Sequence, residues 1–230
     1  MKPWRVRQWC IPPDANAEFV WKMEDVLDVY TQPYEENYPL VCMDETSKQQ
    51  IMEVRLPIGC EPGQSRREDS HYKRNGVSNL FMFFAPLEGW RRVKVTDRRT
   101  KIDWAWAMRE LVDKCFPDAE KITVVMDNLN THSPSSLYEA FAPEEAKRIL
   151  DRLELHYTPK HGSWLNMAEI ELSVLGRQCL RRRIPEQRAL RREVAAWERA
   201  RNAKGSTTNW RFTTQDARIK LNRLYPAFVD

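Results

Sequence analysis

The chain has 230 residues, 42% of them hydrophobic, enough for one large domain or one domain with an extension. No run of about 18 apolar residues occurs, so no membrane span is predicted, and the basic start MKPWRVRQWC lacks the apolar stretch of a secretory leader. The net charge is only +4, and five scattered cysteines without a Cys-x-x-Cys pair argue against a disulfide framework and for a reducing cytoplasm.

In chain order, YPLVCMDET reads as a short strand ending at Asp44. Residues 59–76 are polar and rich in breakers, so a loop or irregular hairpin is expected. VSNLFMFFAP and WRRVKVTD are β-rich runs joined through LEG, as in a hairpin; the first is almost continuously apolar and the second alternates. KIDWAWAMRELVDKCF reads as a helix with Ile102, Ala105, Trp106, Leu111 and Val112 on one face. Trp104 and Trp106 are two apart, so at most one is central to the core. KITVVMD is the next strand. SPSSLYEAF starts a helix with Ser133 as N-cap and Pro134 in the first turn. PEEAKRILDRL continues as helix, ELHYTP as strand and NMAEIELSVLGRQCL as helix. Beyond Pro185, Leu190, Val194 and Trp197 recur at helical spacing, and a short helix near Thr214 and Asp216 closes the chain. Helical crossovers before the last two strands imply parallel pairing. This order favours an α/β mixed sheet with helices on both faces.

Charge is unevenly placed. Nine arginines stand against three glutamates between Arg177 and Arg201, a block suited to phosphate contacts or to a solvated helix face. Carboxylates fall at related places: Asp44 at the end of the first strand, Asp127 at the end of the fourth, and Glu169 early in the helix after the fifth. Strand ends and a following helix meet at one rim of such a sheet. Acids that meet there suit hard divalent cations. A pair of such ions can assist phosphodiester cleavage and strand transfer. Read alone, Asp127 also fits a turn or cap. Glu45 and Glu171 compete for the first and third positions. Glu169 and Glu171 lie about 200° apart on a helix, so only one faces a given site, and Glu171 is expected to pack away or point to solvent if Glu169 is the ligand. Ile170, Val174 and Leu175, with Met167, are expected against the sheet.

Together, CMDETS, VVMDNLNTH and YTPKHGSWLNMAEIE resemble the catalytic domain of DDE transposases from bacterial insertion sequences of the mariner-like superfamily. The resemblance runs from about Trp4 to Pro226. It implies a ribonuclease-H-like fold with a five-stranded mixed sheet: a lead-in linker over residues 1–36, the catalytic domain over 37–184 and a basic helical extension over 185–230. It implies that Asp44, Asp127 and Glu169 are the catalytic acids and ligands of two Mg²⁺ or Mn²⁺ ions. Asp127 opens an Asp-Asn-x-x-x-His pattern with Asn128 and His132. The family's Asn-Pro-x-Glu segment here reads Asn166, Met167, Ala168, Glu169, which selects Glu169 over Glu171. The implied activity is cleavage of DNA at transposon ends and joining of the 3′-hydroxyl to target DNA, by a homodimer; no Gly-rich phosphate loop occurs in the sequence, so no nucleotide cofactor is implied. A related nuclease that cuts without joining, or a non-catalytic fragment that binds DNA or partner subunits, are the alternatives.

The chain departs from the pattern in three ways. Met167 replaces a proline that ligates nothing, and the 42-position gap between Asp127 and Glu169 holds an extra helical piece, Pro143 to Leu153. No N-terminal helix-turn-helix module of the kind carried by full-length relatives is present, so the chain reads as a catalytic half. Candidate DNA contacts are Asn128, His132, Lys160, Trp164, Arg181, Arg182 and Arg183. For His132 a structural role beside the Ser133 cap is an equal expectation. For Trp164, packing of its loop onto the core is the favoured one. His156 and His161 have no metal-pair spacing.

Overall fold

In the computed structural model, which describes residue 11 and residues 14–227, five strands form one mixed sheet. They are β1 (Leu40–Glu53), β2 (Tyr72–Ala85), β3 (Trp90–Thr96), β4 (Ile122–Met126) and β5 (Leu153–Tyr157), in the spatial order β3-β2-β1-β4-β5. β1–β2 and β2–β3 pair antiparallel, and β1–β4 and β4–β5 pair parallel. Successive side chains on a strand face opposite ways, and the sheet uses both faces. Cys42, Leu80, Met82, Phe84, Val93 and Val95 join α1 (Ala17–Thr31), α5 (Met167–Leu175), α6 (Gln187–Ala203) and α7 (Thr214–Lys220) in one core. Val41, Met43, Phe81, Phe83, Val124 and Met126 join α2 (Lys101–Glu110), α3 (Ser135–Ala140) and α4 (Pro143–Asp151) in the other. This is the expected mixed sheet with helices on both faces. Among the described residues, no helix is long and apolar enough to cross a membrane.

Several expectations are corrected. β1 does not end at Asp44 but runs on to Glu53, paired with a β2 that begins at Tyr72 inside the expected loop. The outer half of this arm is polar, so backbone pairing rather than an apolar pattern defines it. The register shifts between Gln49 and Ile51, and Gly76 opposite adopts φ +100°, a conformation open to glycine. In α2 the core residue is Trp104, fully buried, while Ile102 and Trp106 are 40% and 46% exposed. Trp106 lies at the helix edge against Phe141, with ring centroids 5.0 Å apart. α3 begins at Ser135, two residues after the expected cap, and Ser133 Oγ accepts from the Ser135 N–H at 3.4 Å.

The lead-in and the extension are not peripheral. α1 buries Phe19, Met23, Val26, Leu27 and Tyr30 in the same core as α5, and α6 adds Leu190, Val194 and Trp197. Residues 1–10, 12 and 13 of the lead-in lie outside the described residues. α6 also runs beside β3, the strand at the sheet's edge. Asn202 accepts from the Arg91 N–H at 2.9 Å and donates to the Arg91 carbonyl at 2.8 Å, and Glu198 accepts from the Val93 N–H at 2.7 Å. Side chains thus occupy backbone positions where a sixth strand would bind.

A buried ion cluster fixes α5. Its inward stripe is Met167, Ala168, Glu171 and Leu175, and Ile170 is 46% exposed, opposite to the expected packing. Glu171, 2% exposed, packs away from solvent, one of its two expected outcomes, because two arginines balance its charge. Arg201 donates to both its oxygens, at 2.8 and 3.2 Å, and the fully buried Arg91 lies 3.2 Å from Oε1. Arg91 also donates to the carbonyls of Gly89, Arg201 and Ser206. Removing one partner of such a cluster leaves an uncompensated buried charge. Glu171→Ala is therefore expected to cost about 3–5 kcal/mol, read as a lowered urea midpoint at unchanged slope; a midpoint that stays within error of wild type refutes the cluster's role.

Candidate active site

The C-terminal rim of the parallel strands collects the predicted acids. The β1–β4 ladder pairs Cys42 with Val125. Asp44 and Asp127 each follow two residues later, so they leave the sheet side by side. Asp44 shares the face of Cys42, on which α5 packs. Glu169 is the third residue of α5 and is exposed. Asn166 sets its position. The Asn166 Oδ1 accepts from the Ala168 N–H at 3.0 Å as an N-cap, while its Nδ2 donates to the Met43 carbonyl at 2.8 Å. One buried amide thus starts the helix and ties it to β1 next to Asp44. Tyr30 adds a second tie, its hydroxyl donating to the Leu165 carbonyl at 2.7 Å.

The three acids act on one another. Burial pushes the Asp44 carboxyl up to about 7, and repulsion by Asp127, Glu169 and Glu45 adds to it; the Glu45 N–H, donating to Asp44 Oδ1 at 2.7 Å, offsets part of the rise. The donor set is all carboxylate oxygen, the chemistry that Mg²⁺ and Mn²⁺ prefer. A divalent cation fits this crowded charge by removing the repulsion.

A second group of side chains reaches Asp127 from the far face. Glu45 is the neighbour of Asp44, so it leaves β1 on the side of Met43 and α2. There it meets His132, whose Nε2 lies 2.9 Å from Glu45 Oε2, while Nδ1 lies 2.6 Å from Asp127 Oδ1. His132 is 1% exposed and stacks on Trp104, with centroids 6.0 Å apart at 27°. Burial disfavours its cation, but contacts with Asp127 and Glu45 outweigh this and raise the pKa to about 9. Glu45, Asp127 and His132 offer ligand atoms within 4.8 Å of one another, a grouping a metal could use. An imidazolium has no lone pair to give, however. The geometry is better described as a chain of ion pairs, Glu45–His132–Asp127, that engages one of the two Asp127 oxygens.

The remaining predicted contacts divide. Asn128 and Lys160 are exposed at the rim. Lys160 sits on a tight turn in which Gly162 donates to the Pro159 carbonyl at 2.8 Å, and a Cβ at Gly162 would meet the Pro159 ring at 2.5 Å. His132 is buried between carboxylates, so of its two expectations the structural role holds and the DNA contact is corrected. Trp164 packs inward too, near Trp210 and Phe212 with centroids 6.4 and 6.2 Å away, the favoured of its two expectations over a DNA contact. Among the arginines, Arg181 and Arg182 are exposed, and Arg182 pairs with Glu193. Arg183 pairs with Glu53 at 2.6 Å and lies over the Tyr72 ring at 5.5 Å. Part of the basic block therefore holds the β1–β2 arm. The role of Glu45 was open to a period-two reading of β1, while that of Arg91 depends on a partner far away in sequence.

A family model described as DDE superfamily endonuclease matches residues 39–191. Among solved structures, the Mos1 transposase paired-end complex with left transposon end is similar at 13% identity and TM-score 0.56, over 87% of this chain and 61% of that one. The mariner Mos1 paired end complex with Mg matches at 14% identity and TM-score 0.58, over 97% and 67%. The Mos1 strand transfer complex matches at 12% and TM-score 0.61, over 98% and 67%. These likenesses establish the ribonuclease-H-like fold, and the chain spans about six tenths of the length of the first of these proteins. No curated protein matches the chain.

The site has a pH signature in chelator. The folded-state pKa of Asp44 rises from 3.8 to about 7 and that of His132 from 6.5 to about 9. Both groups hold a proton more tightly when folded, so their contributions are complete at low pH and are lost as pH rises through 7 and then 9. Asp44→Asn removes the first loss. At pH 8.5 its Tm is expected to exceed wild type by about 5 °C or more, and at pH 4 to equal it. A difference that is the same at both pH values would remove the raised Asp44 pKa from the account.

Proposed function

The chain belongs to the DDE superfamily of endonucleases, and from this membership we propose that it is the catalytic part of a transposase, cutting DNA at transposon ends and joining the 3′-hydroxyl to target DNA. The observation that supports this reading is a buried Asp44, its carboxyl raised to about 7 chiefly by burial, with Asp127 and Glu169 near enough to add repulsion. Asp44, Asp127 and Glu169 would hold the divalent ions, two in number. When bound, such ions supply positive charge for the attacking and leaving oxygens of a phosphodiester. The chain's own residues set the rest. Asn166 holds α5 so that Glu169 faces the strand ends, and His132 fixes one oxygen of Asp127. Lys160 and Asn128, exposed on the same rim, are placed to meet phosphate and sugar. DNA is the proposed substrate and a homodimer the proposed active form, because two ends must be processed together. A bacterial insertion sequence is the proposed source.

Glu169 and Glu171 separate catalysis from stability. With supercoiled plasmid and Mn²⁺, Glu169→Gln is expected to lower nicking by at least about 100-fold at unchanged Tm. Glu171→Gln is expected to lower Tm but keep nicking at low temperature. The opposite ranking would move the third ligand to Glu171.

Salt dependence tests the basic block. Replacing Arg181 by Ala is expected to lower the slope of log binding constant against log salt on random duplex by about 1. Arg183→Ala should instead destabilise the arm and leave the slope near wild type. Equal slopes in wild type and Arg181→Ala would make this a solvated surface.

A further inference from the structure

We propose that Glu45 is a positioning residue, acting through His132 to set which oxygen and which direction Asp127 presents to a divalent cation. The inference deepens the functional reading above and rests on Asp127 being a ligand. Its basis is geometric. Adjacent residues on a strand point to opposite faces, so one dipeptide, Asp44-Glu45, serves the site twice. Asp44 enters it from the α5 side. Glu45, its side chain 4% exposed, works from the α2 side, where it contacts the imidazole of His132.

The path is short. His132 forms ion-pair contacts with Glu45 Oε2 through Nε2 at 2.9 Å and with Asp127 Oδ1 through Nδ1 at 2.6 Å, and Nδ1 also lies 3.3 Å from the Asp127 backbone carbonyl. The ring itself is held on its face and at its backbone. Trp104 stacks beneath it, the Tyr157 hydroxyl donates to its carbonyl at 2.9 Å, and its own N–H donates to the Leu129 carbonyl at 2.9 Å. Asp127 lies just beyond β4, where the strand no longer fixes its direction. Its carboxylate needs an outside hold, and His132 supplies one at a single oxygen. With Oδ1 engaged, Oδ2 is left for a cation. Outer partners of this kind orient ligands in metal sites generally, and their loss typically weakens metal affinity 10–100-fold.

The test is Mn²⁺ binding to the intact chain at 10 °C, measured as free Mn²⁺ by electron paramagnetic resonance, on wild type, Glu45→Gln, His132→Gln, Asp127→Asn and Leu137→Ala. Leu137 is buried in the α2-side core and makes none of these contacts itself, and its variant controls for lost stability. Glu45→Gln and His132→Gln are expected to raise the Mn²⁺ Kd about 10–100-fold at unchanged stoichiometry, with Leu137→Ala destabilised but binding as wild type. Wild-type affinity in Glu45→Gln, with binding impaired in Asp127→Asn, overturns the inference alone. Wild-type affinity in Asp127→Asn overturns the assignment of Asp127 as a ligand. A fall in stoichiometry in Glu45→Gln would make Glu45 itself a ligand, and equal weakening in Leu137→Ala would reduce its role to folding; either result overturns the positioning role.

Discussion

Like charges forced together at one sheet rim set the terms for the rest of this structure. Asp127 and Glu169 repel a buried Asp44, and the fold must hold them there without a covalent link. Each acid is held differently. Asp44 is fixed by the middle of a long strand, Glu169 by the first turn of α5, and Asp127, past the end of its strand, by a buried histidine.

The α5 anchorage shows how far such a hold extends. Asn166 fixes the start of the helix, and the Arg91–Glu171–Arg201 cluster fixes its rotation. A helix turned by half a revolution would present Glu171 at the rim in place of Glu169. Arg91 comes from β3 and Arg201 from α6, so the direction of one rim acid depends on elements at the other side of the sheet. The carbonyls that Arg91 binds join this cluster to the close approach of Gly89 and Gly205, both at positive φ.

Much of this was legible in the sequence. An apolar run ending in Asp127, and Glu169 three residues after Asn166, mark two of the acids and their elements. The strand order follows from the spacing of strands and helices. What escaped reading has physical causes. β1 continues past Asp44 because pairing with β2, which is non-local, defines its polar half. Glu171 sits in the stripe assigned to Ile170 because hydropathy assigns a glutamate to solvent until its cationic partners, 80 and 30 residues away, are seen. α1 carries a helical stripe of Phe19, Val20, Met23, Val26, Leu27 and Tyr30, and its expected role as lead-in follows only from where the resemblance places the domain start. His132 reads as a polar loop residue, and nothing local shows that Trp104 and Glu45 enclose it.

The side chains that cover β3 have a consequence for where this protein can be cut. An edge strand with open backbone groups is a template on which another chain can add strands. Here Glu198 and Asn202 cap that template from α6, yet the family match ends at residue 191. A fragment trimmed to the match would keep every acid of the rim and lose the cap. It would also lose α1, most of α6 and the Arg201 that pairs with Glu171, so the core on the α5 face would open together with the outer strand. The span that folds is therefore larger than the span that carries the acids.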